Sequence, residues 1–576
     1  MNYVVCLNFT YAQEPNFEWA KGVGGADFDS GRSIITDSVG NVYTTGNFQG
    51  TIDFDPGVGV FTLTSTSTSS FSSTGDVFIL KLNAFGDFLW AKQLVGTGNI
   101  NAQSITIDIN GNIFITGNFN GTVDFDPGIG IYNLWADSTS ANDVFILKLD
   151  VFGNFIWGKQ MVATYGSSGI GTSIRTDFSG NVYTIGDFSG TVDFDPGAGV
   201  FVLTTVSFYN NIFISKVDSF GNFLWAKQLT GTVGTFENGT CITIDSIGNL
   251  YAVGCFSGTV DFDTDAGSFD LSSVGSQNNM FILKLNTSGN FIWVKTMQGS
   301  GSPYSVGWSI ASDAMGNIYS TGQFGGTIDF DPGAGVVNLT SVSSGDAFIL
   351  KLDSTGNFVW VKNIGGAGFA YYVYGYSIAL DLMSNVYTTG YFHGTVDFNP
   401  GSGTDSLTAE SDDLFISKLD ASGNFVWAVN MGGASGFTRG YSIAIDLSDN
   451  VFTTGYFYGM ADFDSGTGIV YLTSAGNTDF FVQKLSQPPT GINEATNSND
   501  ISIYPNPNNG TFNISFASQI KNASIEVYNS LGSLVYKEEI ANQENSIELS
   551  NQANGLYFVK VMSENEIVGI RKVVKE

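Results

Sequence analysis

Four separate landmarks each recur seven times along this chain, and nothing else in it limits the fold as tightly. Trp19, Trp90, Trp157, Trp225, Trp293, Trp360 and Trp427 are 71, 67, 68, 68, 67 and 67 residues apart. An Asp that opens a turn ending in Asn stands at Asp37, Asp108, Asp177, Asp245, Asp313, Asp381 and Asp446. A segment like Asp-Phe-Asp-Pro-Gly begins at Asp53, Asp124, Asp193, Asp261, Asp329, Asp397 and Asp462. A run of Asp or Asn, any residue, Phe, Ile or Val, any residue and Lys begins at Asp76, Asp143, Asn211, Asn279, Asp346, Asp413 and Asp479. A fixed period of this length marks a stacked or circular array of one small structural unit.

Each unit carries four strand signals. Residues 378–382 (Ile-Ala-Leu-Asp-Leu) form a short apolar run that ends at a turn, and 386–390 follow with β-branched and aromatic residues suited to a pleated surface. Residues 347–352 and 358–362 supply two more strands, joined by Asp353-Ser-Thr-Gly-Asn, which has the residues a tight turn needs. Between the second and third strands, 326–333 and their variable continuation predict a small hairpin arm. Four-stranded antiparallel units without helical periods point to a β-propeller. The first Trp strand, Phe17-Glu-Trp-Ala-Lys21, precedes every other part of a unit, while the last unit stops at Leu485 without one. The expected fold class is therefore all-β: a seven-bladed β-propeller over 14–485, closed by its N-terminal strand, so that no open edge is left for aggregation.

The repeats resemble the bacterial β-propeller repeats known as SBBP repeats, in the version carrying Gly-Thr-Val-Asp-Phe-Asp-Pro-Gly, Phe-Ile-x-Lys-Leu-Asp and Gly-Asn-Phe-x-Trp-Ala-Lys. The resemblance extends over about 17–485. It implies a propeller in a secreted or surface protein and brings no family-wide enzymatic activity with it.

Composition shifts after Leu485. Residues 486–500 read as a polar linker with Pro488 and Pro489. The preceding region has only Glu14, Glu18, Glu237 and Glu410, whereas nine Glu lie between 494 and 576. Short alternating strands over 501–576 predict a small C-terminal β-sandwich. Ile503-Tyr-Pro-Asn-Pro-Asn-Asn-Gly-Thr-Phe512, Val527-Tyr-Asn-Ser-Leu-Gly, Gly555-Leu-Tyr-Phe-Val-Lys-Val561 and the basic ending Arg571-Lys-Val-Val-Lys575 are similar to the C-terminal sorting domain of the type IX secretion system of Bacteroidetes (type A). That resemblance implies the type IX machinery as a partner through 501–576, export across the outer membrane, and a secreted or outer-surface location. Residues 1–13 read as a truncated signal peptide, or as a disordered leader to the closing strand.

The formal charge, 22 − 53 = −31, excludes a general nucleic-acid binder, which needs a basic footprint. No stretch is long and apolar enough for a membrane helix. His393 is the only histidine, too little for a His-rich metal site or a Ser-His-Asp arrangement. No catalytic, cofactor-binding or metal-binding residue is assigned. Asp53, Asp55 and Gly57 with their copies read first as turn formers, and a weak calcium loop is the minor reading. Cys241 and Cys255 fall on neighbouring strands and read as two buried thiols, with a local disulfide as the alternative. The Lys81-type and Lys21-type lysines occupy repeat slots and are expected to pair with repeated Asp residues. Three arginines, Arg32, Arg175 and Arg439, fall near the start of a unit and outside the lysine rows. Trp135, Trp308, Tyr371, Tyr372 and Tyr374 lie outside the aromatic rows and are the expected ligand-facing aromatics. The chain as a whole reads as a monomeric secreted scaffold that binds an extracellular glycan or protein. A polysaccharide-active hydrolase or lyase is the alternative.

Overall fold

The structure, a computed structural model, describes residues 14–66, 75–136, 142–206, 209–232, 236–265, 267–275, 277–299, 303–366, 368, 371–433, 435–487, 501–516, 523–529, 534–540, 542–552, 554–563 and 566–575. The expected leader at 1–13 lies outside the described residues, as does most of the expected linker. Two compact units emerge, Met1–Pro488 and Pro489–Glu576.

Every element of the first unit is a strand. Sheet 1 is built from Ser30–Thr36, Val42–Phe48, Asp76–Leu82 and Phe88–Gly96, each antiparallel to the next. Its two middle strands are buried along their whole length, which is why neither shows the alternation of a strand with one wet face. Sheets 2 to 6 repeat the order, with first strands Ile100–Ile107, Ser168–Thr176, Phe236–Ile244, Tyr304–Ser312 and Tyr372–Leu380. Sheet 7 takes Phe437–Ile445, Val451–Tyr458 and Asp479–Ser486 from the end of the repeats and its fourth strand, Asn16–Val23, from the start of the chain. Trp19 pairs with Lys484 there, in the register in which Trp90 pairs with Lys81.

First strands of successive sheets lie side by side, and that of sheet 1 also adjoins that of sheet 7. A row of hydroxyls stitches them together. Ser33 Oγ accepts from the Ile105 N–H, Ser104 from Ile174, Ser173 from Ile242, Ser309 from Ile378 and Ser377 from Ile443. Ser442 of sheet 7 accepts from Ile34 of sheet 1, so the last and first repeats meet as internal neighbours do. The apolar core between them has the same make-up, with Phe452, Phe480 and Val482 packed on Val42, Phe78 and Leu80. Trp19 Nε1 and Lys484 Nζ both donate to the Ala84 carbonyl of sheet 1, as Trp157 and Lys148 of sheet 2 donate to Ser219 of sheet 3.

The Lys81-type row keeps its expected pairing with the turn aspartates only in part. Only Lys81 and Lys216 come within 4.0 Å of their turn aspartates, at 3.9 and 3.6 Å. Each ammonium of the row instead sits over a ring of its own sheet, Lys81 at 4.6 Å from the centre of Tyr43. Burial pushes its pKa down, against the pull of Asp37. The hairpin arms also do more than expected. The arm strand Thr122–Asp124 of sheet 2 pairs with Phe88–Gly96, the outer strand of sheet 1, and sheets 3 and 5 repeat this on sheets 2 and 4. Each of these three arms thus covers a neighbour's edge. Cys241 and Cys255 are free and buried, which overturns the disulfide alternative. Cys241 pairs with Val253 and Cys255 with Asn238, so the two thiols are not opposite one another.

The second unit consists of a three-stranded and a four-stranded antiparallel sheet around one core that includes Phe512, Ile514, Ile525, Val527, Val559 and Val561.

Candidate functional site

A bulge gives the first strands their functional character. In sheet 6, Gly375 pairs with Gly390 and Ser377 with Thr389, leaving Tyr376 as the extra residue. Gly390 permits this: a Cβ there would sit 1.7 Å from the Tyr374 carbonyl oxygen. The same shift recurs in every sheet and singles out Arg32, Gln103, Thr172, Thr240, Trp308, Tyr376 and Tyr441. A bulge re-aims a side chain away from the pleat. Here it directs Arg32, Thr172, Thr240, Trp308, Tyr376 and Tyr441 toward the adjoining sheets.

Those contacts form a continuous arc on one side. The Trp308 and Tyr376 rings are 5.4 Å apart, the Tyr376 and Tyr441 rings 5.2 Å, and the Arg32 guanidinium lies 5.2 Å from the centre of Tyr441. On the other side, Thr172 and Thr240 turn their hydroxyls to the Gly239 and Gly307 carbonyls of the next sheet, at 2.6 and 2.7 Å. A second layer backs the arc. Tyr374 and Tyr391 stack at 5.0 Å, and Tyr376 and Tyr391 at 5.6 Å. Trp308, Tyr374, Tyr376, Tyr441 and Arg32 all stay partly exposed, while Tyr391 is buried.

One ion pair holds this layer in place. Asp412 Oδ2 accepts from Arg439 Nε at 2.8 Å and Nη2 at 2.5 Å, and Asp412 Oδ1 accepts from the Tyr372 hydroxyl at 2.5 Å. Arg439 Nη1 donates to the Tyr456 hydroxyl at 3.2 Å, and its guanidinium lies 4.6 Å from the centre of Tyr391. His393 stacks on Tyr372 at 5.6 Å, with Nδ1 4.0 Å from Asp412. Burial, reinforced by the bond to Asp412, pushes the Tyr372 phenol well above its ordinary value, and burial does the same to Tyr376. These phenols are fixed as neutral donors.

Of the residues singled out from sequence, Trp308, Tyr372, Tyr374, His393, Arg32 and Arg439 come together here. Three do not. Trp135 lies exposed on the arm strand Asn133–Trp135, and Tyr371 lays its ring over Gly394. Arg175 donates to the Ile174 carbonyl toward the other end of its strand. Tyr376, Tyr391, Asp412, Tyr441 and Tyr456 were not foreseen. The slot between the repeated Gly (Ala102 in sheet 2) and the repeated Ser, filled differently in most units, was the signal for two of them.

At the opposite end of the first strands, a cavity of about 450 Å³ is lined by Asp108, Asp177, Asp245 and Asp313 among others. These carboxylates are already engaged: Asp177 Oδ1 accepts from the Ser179 and Asn181 N–H groups, and Oδ2 from Asn181 Nδ2 and the Tyr183 hydroxyl. The aspartates of the arms are engaged as well. Asp53 Oδ1 accepts from the Asp55 and Phe61 N–H groups and Asp55 Oδ1 from Gly57, as turn-forming side chains do.

Comparison with known proteins places two motifs. Residues 89–123 match a family described as beta-propeller repeat, and 502–576 match the secretion system C-terminal sorting domain. An uncharacterized WD repeat-containing protein of Acanthamoeba polyphaga mimivirus is 24% identical over 542 residues, covering 79% of this chain. The chain spans only 38% of that protein's length. Among solved structures, an ACO/RPE65 chimera has 10% identity and a TM-score of 0.33, with 82% of this chain and 94% of that one covered. PorZ, a surface component of the type-IX secretion system of Porphyromonas gingivalis, has 12% identity and a TM-score of 0.15, covering 96% and 99%. The sorting domain implies handling by the type IX secretion system and marks proteins exported to the cell surface or beyond. The chain therefore carries a β-propeller repeat of the SBBP type and, at 502–576, a type IX secretion sorting domain.

Proposed function

We propose that the seven sheets are the blades of one closed propeller, and that the exported protein is a binding scaffold whose recognition surface is the aromatic arc at one mouth of the ring. Closure is supported by the Trp19–Lys484 pairing and by the Ser442 bond to Ile34 across the last junction. The arc itself carries the functional reading. A chain that keeps most of its rows constant departs from them in four adjoining blades, and the departures are one Trp, two Tyr and one Arg that touch in series. Flat, partly exposed rings suit the apolar faces of a sugar, so a glycan is the favoured ligand.

An array of glycans and matrix proteins probed with the full chain is the test. Saturable binding that falls at least tenfold in Tyr376→Ala or Trp308→Ala, with the melting temperature unchanged, supports the reading. Binding indifferent to both variants defeats it. Release of reducing ends from a bound polysaccharide would instead identify a hydrolase.

A further inference from the structure

Resting on that reading, we infer that the arc takes a glycan ending in a carboxylated sugar, with Arg32 as the carboxylate clamp. Two cations reach this mouth, and their situations differ. Arg439 is neutralised by Asp412 through two donated hydrogen bonds. Arg32 lies over Tyr441 and, among the described residues, its guanidinium makes no hydrogen bond and no ion pair. A chain with 53 acidic and 22 basic residues has carboxylates to spare for every arginine. None has been placed opposite this one.

The surroundings sharpen the contrast. No Asp or Glu occupies any of the seven bulge positions. Among the described residues, Arg32 is thus a cation without a carboxylate partner inside a strongly negative molecule. A guanidinium presents a planar fork that matches a carboxylate bidentately, and here it stands at the end of the aromatic series, where the terminal sugar of a stacked chain would arrive. The charge of the ligand is limited as well. Screening confines the attraction of Arg32 to roughly 8 Å at physiological salt, so one terminal carboxylate is favoured, whereas a polyanion would meet the net charge of −31 along its length.

The experiment is calorimetric titration of the full chain with neutral oligosaccharides of matched length, capped either with glucuronic acid or with glucose. The acid-capped probe should bind about tenfold to a hundredfold more tightly, the range expected for a charge-assisted hydrogen-bonded contact. Arg32→Met should bring it down to the affinity that the parent chain shows for the glucose-capped probe. Gln103→Asp, which adds a carboxylate in the adjoining blade without removing Arg32, should also weaken only the acid-capped probe, so the inference does not depend on one variant folding. Equal affinities for the two probes, both abolished by Tyr376→Ala, would overturn the carboxylate clamp while leaving the aromatic arc standing. Failure of both probes to bind, or binding unaffected by Tyr376→Ala, would overturn the arc as well.

Discussion

Single residues set the geometry of the mouth through what they lack. Gly390 has no Cβ, so the Tyr374 carbonyl can close to a distance that any side chain would block, and the bulge at Tyr376 follows. Gly375 serves the adjoining junction, since a Cβ there would lie 2.3 Å from Thr321 Oγ1 of sheet 5. Gly390→Ala should therefore destabilise the protein by about 1–3 kcal/mol, the usual cost of overpacking, as measured by denaturant unfolding. A neutral result would mean that the bulge forms without it. The repeated Gly was legible in the sequence as a turn-rich, close-packed row. The residue beside it was legible only in part: Arg32 and Trp308 stand out as irregular, whereas Gln103, Thr172, Thr240 and Tyr376 share no chemistry that would mark a common position. Tyr391 and Tyr456 stayed hidden for a related reason: their slot holds Asn47, Asn118, Asp187, Cys255 and Gln323 elsewhere.

Strands determine how the repeats join. Asn16–Val23 repeats in sheet 7 the contacts that Phe155–Ala163 makes in sheet 2, down to the indole bond to a carbonyl of the next sheet. Its place was readable from the order of the landmarks, because a strand offset to the start of a chain has one vacant edge to fill. Trp19→Ala should cost ~3 kcal/mol, at the lower end for a large aromatic because the ring is only partly buried, and should broaden the unfolding transition as the last junction loosens. Unfolding identical to the parent would show that the strand contributes nothing to closure. The interlock of the arms of sheets 2, 3 and 5 on their neighbours' outer strands was not readable. An arm is locally just a hairpin, and its partner lies in the preceding unit, tens of residues back in the sequence.

For the whole molecule, buried carboxylates set the response to pH. Burial raises Asp29, Asp187 and Asp413 to about 7 and Asp479 to about 6. A carboxyl raised in the fold favours its protonated form there, so its contribution is fully present below the ordinary carboxylate range and is lost as pH rises through 6 to 7. Asp353 acts in the opposite sense: although partial burial works against it, bonds from Thr355 and Asn357 hold it down at about 2, and its contribution is lost only as pH falls toward that value. The melting temperature should therefore rise from pH 8 to about pH 5, aided by relief of the negative self-repulsion, and fall again in stronger acid. Asp187→Asn should flatten the upper part of that curve. A melting temperature that climbs steadily from pH 5 to pH 8 would contradict the assignment.

Periodicity by itself determined the all-β class, the repeating four-stranded sheet and the strand that completes the last of them, and short motifs beyond the repeats carried the resemblance to a sorting tail. Each of these is a local pattern of apolar, turn and aromatic residues, and local patterns survive in one dimension. Tertiary structure alone decided which of the irregular residues meet. Trp308, Tyr376, Tyr441 and Arg32 are 68, 65 and 409 positions apart in sequence, taken in order of contact. They become neighbours because the first strands pack side by side and the bulge turns the same step of each toward the next.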